Sequence, residues 1–134
     1  MFKLTLLSVA ALAASFVSAE TAYFAFKTVE RSKEFVFQLT DDAKIAQARR
    51  ILSGAETQSV HVSGRIIKTP ATYNPYWQFI LDPETISFFD HSIEICDANV
   101  NYVGEHLDEA CGAFLPGCIF CPWTSKITRE VKRE

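Results

Sequence analysis

Residues 34–54, EFVFQLTDDAKIAQARRILSG, decide the fold of this chain, because they change from one periodicity to another within a few residues. In the first half, Phe35, Phe37 and Leu39 lie at alternate positions, which is the spacing of a strand with one buried face. In the second half, apolar residues recur at the three- and four-residue spacing of a helix. The stretch therefore predicts a strand followed directly by a helix over 41–53.

This helix has residues that commonly begin and end helices. Thr40 is a good N-terminal cap, and the two aspartates that follow it place negative charge in the first turn, where it is favourable. Gly54 supplies the stop. The apolar residues Ile45, Ile51 and Leu52 share one side of the helix, and we expect that side to be buried.

Strands are predicted on both sides of this helix. The aromatic stretch 22–28 should pair with 34–39 as an antiparallel hairpin. Apolar residues alternate again over 58–69 and 77–81, and a short strand could be added over 126–131.

Residues 91–111 are ambiguous, because the stretch from Ile86 to Ile95 could form a strand. Beyond it, six apolar positions spaced by three and four residues favour one amphipathic helix, capped by Asp90 and ended by Gly112. With this helix the order is ββαββα, followed by a disulfide-braced C-terminal tail. We therefore predict an α+β fold in which an antiparallel sheet of about four strands packs against two helices.

The N-terminal residues have the layout of an export signal. Lys3 is the only charge in the segment, an apolar run follows over 4–17, and the small-residue pattern at 17–19 precedes a cleavage site. The run is too short to span a membrane. We expect a signal peptide over 1–19, a single domain over 20–134, and a secreted, extracellular protein.

Charge and motifs argue against several classes of protein. The formal net charge is −3, whereas proteins that bind nucleic acids or anionic membrane surfaces need a basic surplus. The sequence contains neither G-x-S-x-G nor H-E-x-x-H, and its three histidines are far apart. We therefore expect no nucleic-acid partner, no membrane span, no catalytic residues and no enzymatic activity.

The four cysteines lie in the last third of the chain, and an even count in an exported protein predicts two disulfides. Of the three possible pairings we prefer Cys96–Cys121 and Cys111–Cys118. The first joins the apolar side of the second predicted helix to the tail, and the second closes a short loop. The alternatives are redox chemistry at the C-x-x-C formed by the last two cysteines, or a zinc site completed by His106. We expect neither a metal nor a cofactor.

Aromatic residues on proline-stiffened loops are the candidates for recognition, because such loops lose little entropy when they bind. The candidate binding residues are Tyr73, Tyr76, Phe114 and Leu115. We expect Trp77 and Trp123 to close the edge of the core instead.

Several motifs carry a resemblance to a known family. They are Phe35–Asp41, Ala43–Ala46, Ile51–Gly54, Val62–Lys68, Tyr73–Pro75, Leu81–Asp90, Cys96–Ala98, Phe114–Gly117 and Cys121–Trp123. Together they resemble the amino-terminal domain of a calmodulin-binding protein, a domain that also occurs as small stand-alone secreted proteins. The resemblance covers nearly the whole chain after the leader and brings no catalytic residues with it. It implies calmodulin binding by the family label alone, and the only basic helix, 41–53, needs its apolar residues for the core.

The leading hypothesis is a secreted, disulfide-stabilised, non-catalytic binding module whose partner is an extracellular protein or a small ligand. An alternative is a secreted proteinase inhibitor or effector that presents the loop 112–117, which requires Phe114 and Leu115 to be exposed. A third hypothesis is a small secreted hydrolase that uses acidic residues near 82–97.

Overall fold

The computed structural model describes residues 20–29, 32–91 and 96–133. Within these residues, seven strands form two antiparallel sheets that are accompanied by two α-helices. The strands are β1 (Ala22–Lys27), β2 (Phe35–Leu39), β3 (His61–Ile67), β4 (Ile80–Leu81), β5 (Ser87–Phe89), β6 (Ile119–Phe120) and β7 (Lys126–Val131). The helices are α1 (Asp42–Ser53) and α2 (Val100–Glu105), with short 3-10 turns at Pro83–Thr85 and Pro116–Cys118. The predicted α+β class is confirmed, and the predicted signal peptide, 1–19, lies outside the described residues.

The first sheet has the order β2-β1-β7, and both of its pairings are antiparallel. The predicted hairpin is confirmed, because Phe24 lies opposite Phe37 and Phe26 lies opposite Phe35. All four of these rings are fully buried. The sheet therefore supplies the aromatic centre of the core, and the predicted last strand, 126–131, completes it.

The second sheet is built on β3, which pairs antiparallel with the short strands β4, β5 and β6. The strands are thus divided between two sheets, where one sheet of about four strands was expected. Ser125 explains the division, because it lies between β3 and β7. Its hydroxyl oxygen accepts a hydrogen bond from Val62 N at 2.8 Å, and its carbonyl oxygen accepts one from His61 Nδ1 at 2.9 Å. These contacts replace a backbone ladder between the two sheets.

The strand predicted over 77–81 is much shorter in the structure, where only β4 remains of it. Trp77 is partly buried, and its indole N–H donates to the carbonyl oxygen of Glu34 at 2.9 Å. Its ring packs against Phe35 and Phe79. The residue therefore closes the edge of the core, as expected, but from a loop.

Asn74 joins the two sheets from the loop before β4. Its side chain is fully buried, and Oδ1 accepts a hydrogen bond from Val36 N in β2 at 2.8 Å. Its Nδ2 donates to the carbonyl oxygen of Phe79 at 3.0 Å. One amide thus satisfies a buried donor and a buried acceptor that are far apart in the sequence.

Helix α1 confirms the predicted helix over 41–53, with its cap one residue later than expected. Asp41 is the N-cap, and its Oδ1 accepts hydrogen bonds from Ala43 N and Lys44 N. Thr40, the predicted cap, precedes it. Gly54 ends the helix with a φ of 88°, a left-handed conformation that glycine adopts without steric cost.

The apolar side of α1 faces the core, but not all of its residues are equally buried. Ile45 and Ala48 are fully buried, whereas Ile51 and Leu52 are only partly buried against the same cluster. The helix therefore uses its apolar face for packing within the domain.

The long second helix predicted over 91–111 is wrong. The structure has only the six residues of α2, and residues 92–95 of the predicted helix lie outside the described residues. Asn99 begins α2, because its Oδ1 accepts a hydrogen bond from Tyr102 N at 2.9 Å. Before it, Cys96 is tied to the tail by a disulfide and by a hydrogen bond from Trp123 N to its carbonyl oxygen. The predicted cap at Asp90 and end at Gly112 are therefore not used.

Arginine side chains form ion pairs on the surface of the first sheet and α1. Arg49 bridges Glu20 and Glu130, and Arg129 pairs with Glu34. The hydrogen bond from the Arg129 guanidinium lowers the pKa of Glu34, and the hydrogen bond from Arg49 lowers the pKa of Glu130. Neither helix in the described part of the chain is long and apolar enough to cross a membrane.

Candidate ligand-binding cavity

A cavity of about 510 Å³ lies between the start of α2 and the loop that the second disulfide closes. One wall consists of Asp97, Asn99 and Tyr102 with the intervening Ala98, and the other consists of residues 113–116. Its volume is within the range of cavities that bind small ligands or single side chains.

The Tyr102 ring is the main aromatic surface of the first wall. The residue is 46% exposed, and its ring stacks on the His106 ring with the centroids 3.9 Å apart. Phe114 from the opposite wall meets it edge-on, at a centroid distance of 5.3 Å. His106 is itself fixed, because its Nδ1 donates to the carbonyl oxygen of Tyr102 at 2.8 Å. The position of the tyrosine ring is therefore defined by contacts from both walls.

The second wall belongs to a loop with an unusual backbone. Cys111, Leu115 and Cys118 have φ values of 76°, 53° and 67°, in the left-handed region that residues other than glycine rarely adopt. The Cys111–Cys118 disulfide closes this loop, and the Leu115 side chain is buried in the core with 3% exposure. The loop is thus anchored at its ends by a covalent bond and near its middle by packing.

The other disulfide, Cys96–Cys121, holds the tail beside the cavity. Both disulfides have the pairing preferred from the sequence. Trp123, which follows the second of these cysteines, is 44% exposed, so the expectation that it closes the core is wrong. Its indole N–H instead donates to Asp97 Oδ1 at 2.9 Å. This hydrogen bond orients the carboxylate at the edge of the cavity.

The structure does not bring the four predicted binding residues together. Phe114 and Leu115 line the cavity, whereas Tyr73 and Tyr76 do not. Tyr76 is well exposed, and the Lys33 ammonium lies 4.7 Å from the centre of its ring.

Tyr73 and Leu115 are corrected by the structure. Tyr73 is only partly exposed, its hydroxyl is buried without a hydrogen-bond partner among the described residues, and burial raises the pKa of this phenol. Leu115 points into the core, since its side chain provides the contact that holds the strained loop. The inhibitor hypothesis required Leu115 on a protruding loop, and its burial argues against that alternative.

The family of the chain follows from comparison with known proteins. A family model described as the BP-74 N-terminal domain, which is the N-terminal domain of a calmodulin-binding protein, matches residues 20–134. The chain belongs to this family. The resemblance seen in the sequence is thereby confirmed, and the match contains every residue of the cavity. Searches of the curated proteins and of the solved structures found no match.

Sequence reasoning missed three residues that line the cavity of this family domain. Asn99 and Tyr102 have the spacing of a helix cap and its hydrogen-bonded partner, a signal that could have moved the predicted helix start to residue 99. Asp97 had no such local signal, because its orientation depends on Trp123, which is distant in the sequence.

The chemistry of the cavity favours binding over catalysis. Its lining contains one carboxylate, from Asp97, one side-chain amide, from Asn99, and two aromatic rings. The hydrolase hypothesis needs two acids that converge in a cleft, and this lining provides one. Nowhere in the described ranges do three or more histidine, cysteine or acidic side chains come close enough to hold a metal ion.

Proposed function

We propose that this member of the family is a secreted, non-catalytic binding module whose ligand occupies the cavity between α2 and the disulfide-closed loop. The observation that carries the proposal is the combination of two aromatic rings with a few polar groups in one cavity of suitable size. Binding sites typically combine an apolar lining with a small number of oriented polar groups.

The rigidity of the walls supports this proposal. Asn99 caps α2 through a hydrogen bond, and Leu115 and the Cys111–Cys118 disulfide hold the facing loop. A ligand that enters between prearranged walls loses less affinity to the ordering of side chains and loops. The same features that fix the fold here therefore favour binding.

Secretion is supported by the leader and by the disulfides. Disulfides persist in oxidising compartments outside the cytosol, and residues 1–19 have the layout of a cleaved signal. We expect mass spectrometry of the exported protein to find a chain that begins at Glu20. Recovery of only the full-length protein from cells would contradict export.

Calmodulin is not the ligand that the fold favours. A calmodulin target presents a basic amphipathic helix with free apolar anchors, and the apolar side of α1 is already packed, with Ile45 and Ala48 fully buried. Tight calcium-dependent binding of calmodulin by the folded protein would contradict this view.

The test of the binding proposal is a fragment screen by NMR on the purified, disulfide-bonded protein. We expect the fragments that bind to shift the amide signals of residues 97–102 and 113–116. The variant Tyr102→Ala should lose these shifts, while Tyr76→Ala, which removes an exposed tyrosine outside the cavity, should keep them. Binding that maps elsewhere, or a full panel without any shift at the cavity, would overturn the proposal.

A further inference from the structure

The charge around the cavity is one-sided. Residues 82–109 contain eight acidic side chains, and no lysine or arginine occurs anywhere from residue 82 to residue 125. Both walls of the cavity, residues 97–102 and 113–116, come from this segment. The lining therefore contains a carboxylate and no basic side chain that would neutralise it.

Asp97 has unused capacity for a cation. Its Oδ1 accepts the indole N–H of Trp123, a neutral donor that orients the carboxylate without cancelling its charge. Its Oδ2 accepts no hydrogen bond from a described residue, and the described lysines, arginines and histidines form no ion pair with it. An ionised carboxylate accepts up to about four hydrogen bonds, so Asp97 can receive further donors from a ligand.

The aromatic rings add a second attraction for a cation. Tyr102 is half-exposed at the cavity, with Phe114 beside it. The faces of aromatic rings attract cations, and the planar guanidinium of arginine stacks on them more readily than the ammonium of lysine does. Guanidinium also offers paired N–H donors that match the two oxygens of a carboxylate.

We propose that the cavity binds the guanidinium of an arginine side chain in a peptide segment of the partner. Asp97 accepts the guanidinium N–H groups, Tyr102 lies along its plane, and the aliphatic stem packs against Phe114 and Pro116. The inference rests on the proposed function, because it names the chemical group that the binding module takes. A neutral apolar group of the same size would leave the carboxylate partly desolvated without a new partner.

The experiment compares two probes that differ in charge and not in shape. N-acetyl-L-argininamide and N-acetyl-L-citrullinamide are titrated into the isotope-labelled, disulfide-bonded protein at low salt, and the NMR shifts at residues 97–102 and 113–116 are followed. We expect saturable binding of the arginine probe at millimolar concentration, and binding of the citrulline probe weaker by about three- to tenfold, the range for a charge-assisted contact at a partly exposed site.

Variants assign the preference to its residue. Asp97→Asn keeps the acceptor for Trp123 and removes only the charge, so it should abolish the preference for arginine over citrulline. Asp108→Asn removes an exposed acid of the same segment that does not line the cavity, and it should leave the preference unchanged.

The outcomes separate this inference from the proposed function. Equal binding of both probes at the cavity, or an unchanged preference in Asp97→Asn, overturns the arginine inference and leaves the binding module intact. Shifts from the arginine probe that map away from the cavity also overturn it. If neither probe reaches the cavity, the inference fails, and the proposed function fails with it only where the fragment screen is negative as well.

Discussion

Replacing Asn74 by alanine tests whether one buried amide holds the two sheets together. The substitution removes the acceptor for Val36 N and the donor to the carbonyl oxygen of Phe79, which lie 2.8 and 3.0 Å from the amide atoms. Because the site is fully buried, water cannot replace either partner. Both backbone groups are then left unsatisfied inside the protein.

The magnitude follows from these two groups. An unsatisfied buried polar group costs about 1–3 kcal/mol, so Asn74→Ala should lower the free energy of unfolding by about 2–5 kcal/mol. For a domain of this size, a loss of that order lowers Tm by roughly 10–20 °C. Asn74→Asp separates hydrogen bonding from packing, because it has nearly the same shape. It keeps the acceptor, loses the donor and buries a charge, so it should destabilise at neutral pH at least as strongly.

The assay is thermal and urea denaturation followed by circular dichroism. Asn101→Ala is the matched control, because Asn101 is exposed on α2 and its side chain makes no hydrogen bond with any described residue. It should change stability by less than about 0.5 kcal/mol. An Asn74→Ala protein that melts within about 2 °C of wild type would refute the reasoning, and so would a neutral Asn74→Asp.

Three other outcomes are expected from the same measurements. Loss of Cys96 opens a bridge with a sequence separation of 25 and should cost about 3.5 kcal/mol, whereas loss of Cys118 opens one with a separation of 7 and should cost about 2.4 kcal/mol, as urea denaturation can compare. Ile45→Ala should cost about 2–5 kcal/mol, and the partly buried Ile51 clearly less, so equal losses in melting curves would contradict the burial of α1. The hydrogen bond from its arginine partner lowers the pKa of Glu34, so its ionised form stabilises the fold above the unfolded pKa of about 4.3. The difference in Tm between wild type and Glu34→Gln should therefore be present at pH 7 and vanish as the pH falls below the lowered pKa; a difference independent of pH would count against the ion pair.

The fold was predictable wherever a local pattern matched the final structure. The alternation that starts at Phe35 and the helical spacing before Gly54 each come from residues adjacent in sequence, so β2 and α1 were predicted almost to the residue. The division into two sheets was not predictable in this way. It depends on Ser125, whose contacts with β3 join segments more than 60 residues apart.

The second predicted helix shows how periodicity can mislead. Residues at helical spacing over 91–111 include Cys96 and Ala110, which are indeed buried. Their burial does not come from one helix, because the disulfide to Cys121 and the turns after α2 bring them inward separately. A pattern of burial therefore identified core residues correctly and assigned them the wrong backbone.

The candidate site was only half visible in the sequence for a related reason. Proline-rich aromatic loops pointed to Phe114, but its counterpart Tyr102 was assigned to a long helix, and nothing local joined Asp97 to Trp123. Disulfide pairing was the exception, because few pairings are possible and loop lengths separate them. The covalent frame of the cavity was thus predictable before its chemistry.

The strained loop connects stability with recognition. Three residues other than glycine hold left-handed conformations, each unfavourable by about 1–3 kcal/mol, and such a backbone persists only when its surroundings compensate. Burial of Leu115 and the Cys111–Cys118 bridge provide that compensation, and both act before any ligand arrives. If the loop were free, ordering its backbone on binding would cost about 1–2 kcal/mol per residue. The protein instead uses core packing and a disulfide to build a wall that is already in place, which is the arrangement expected of a surface that binds without rearranging.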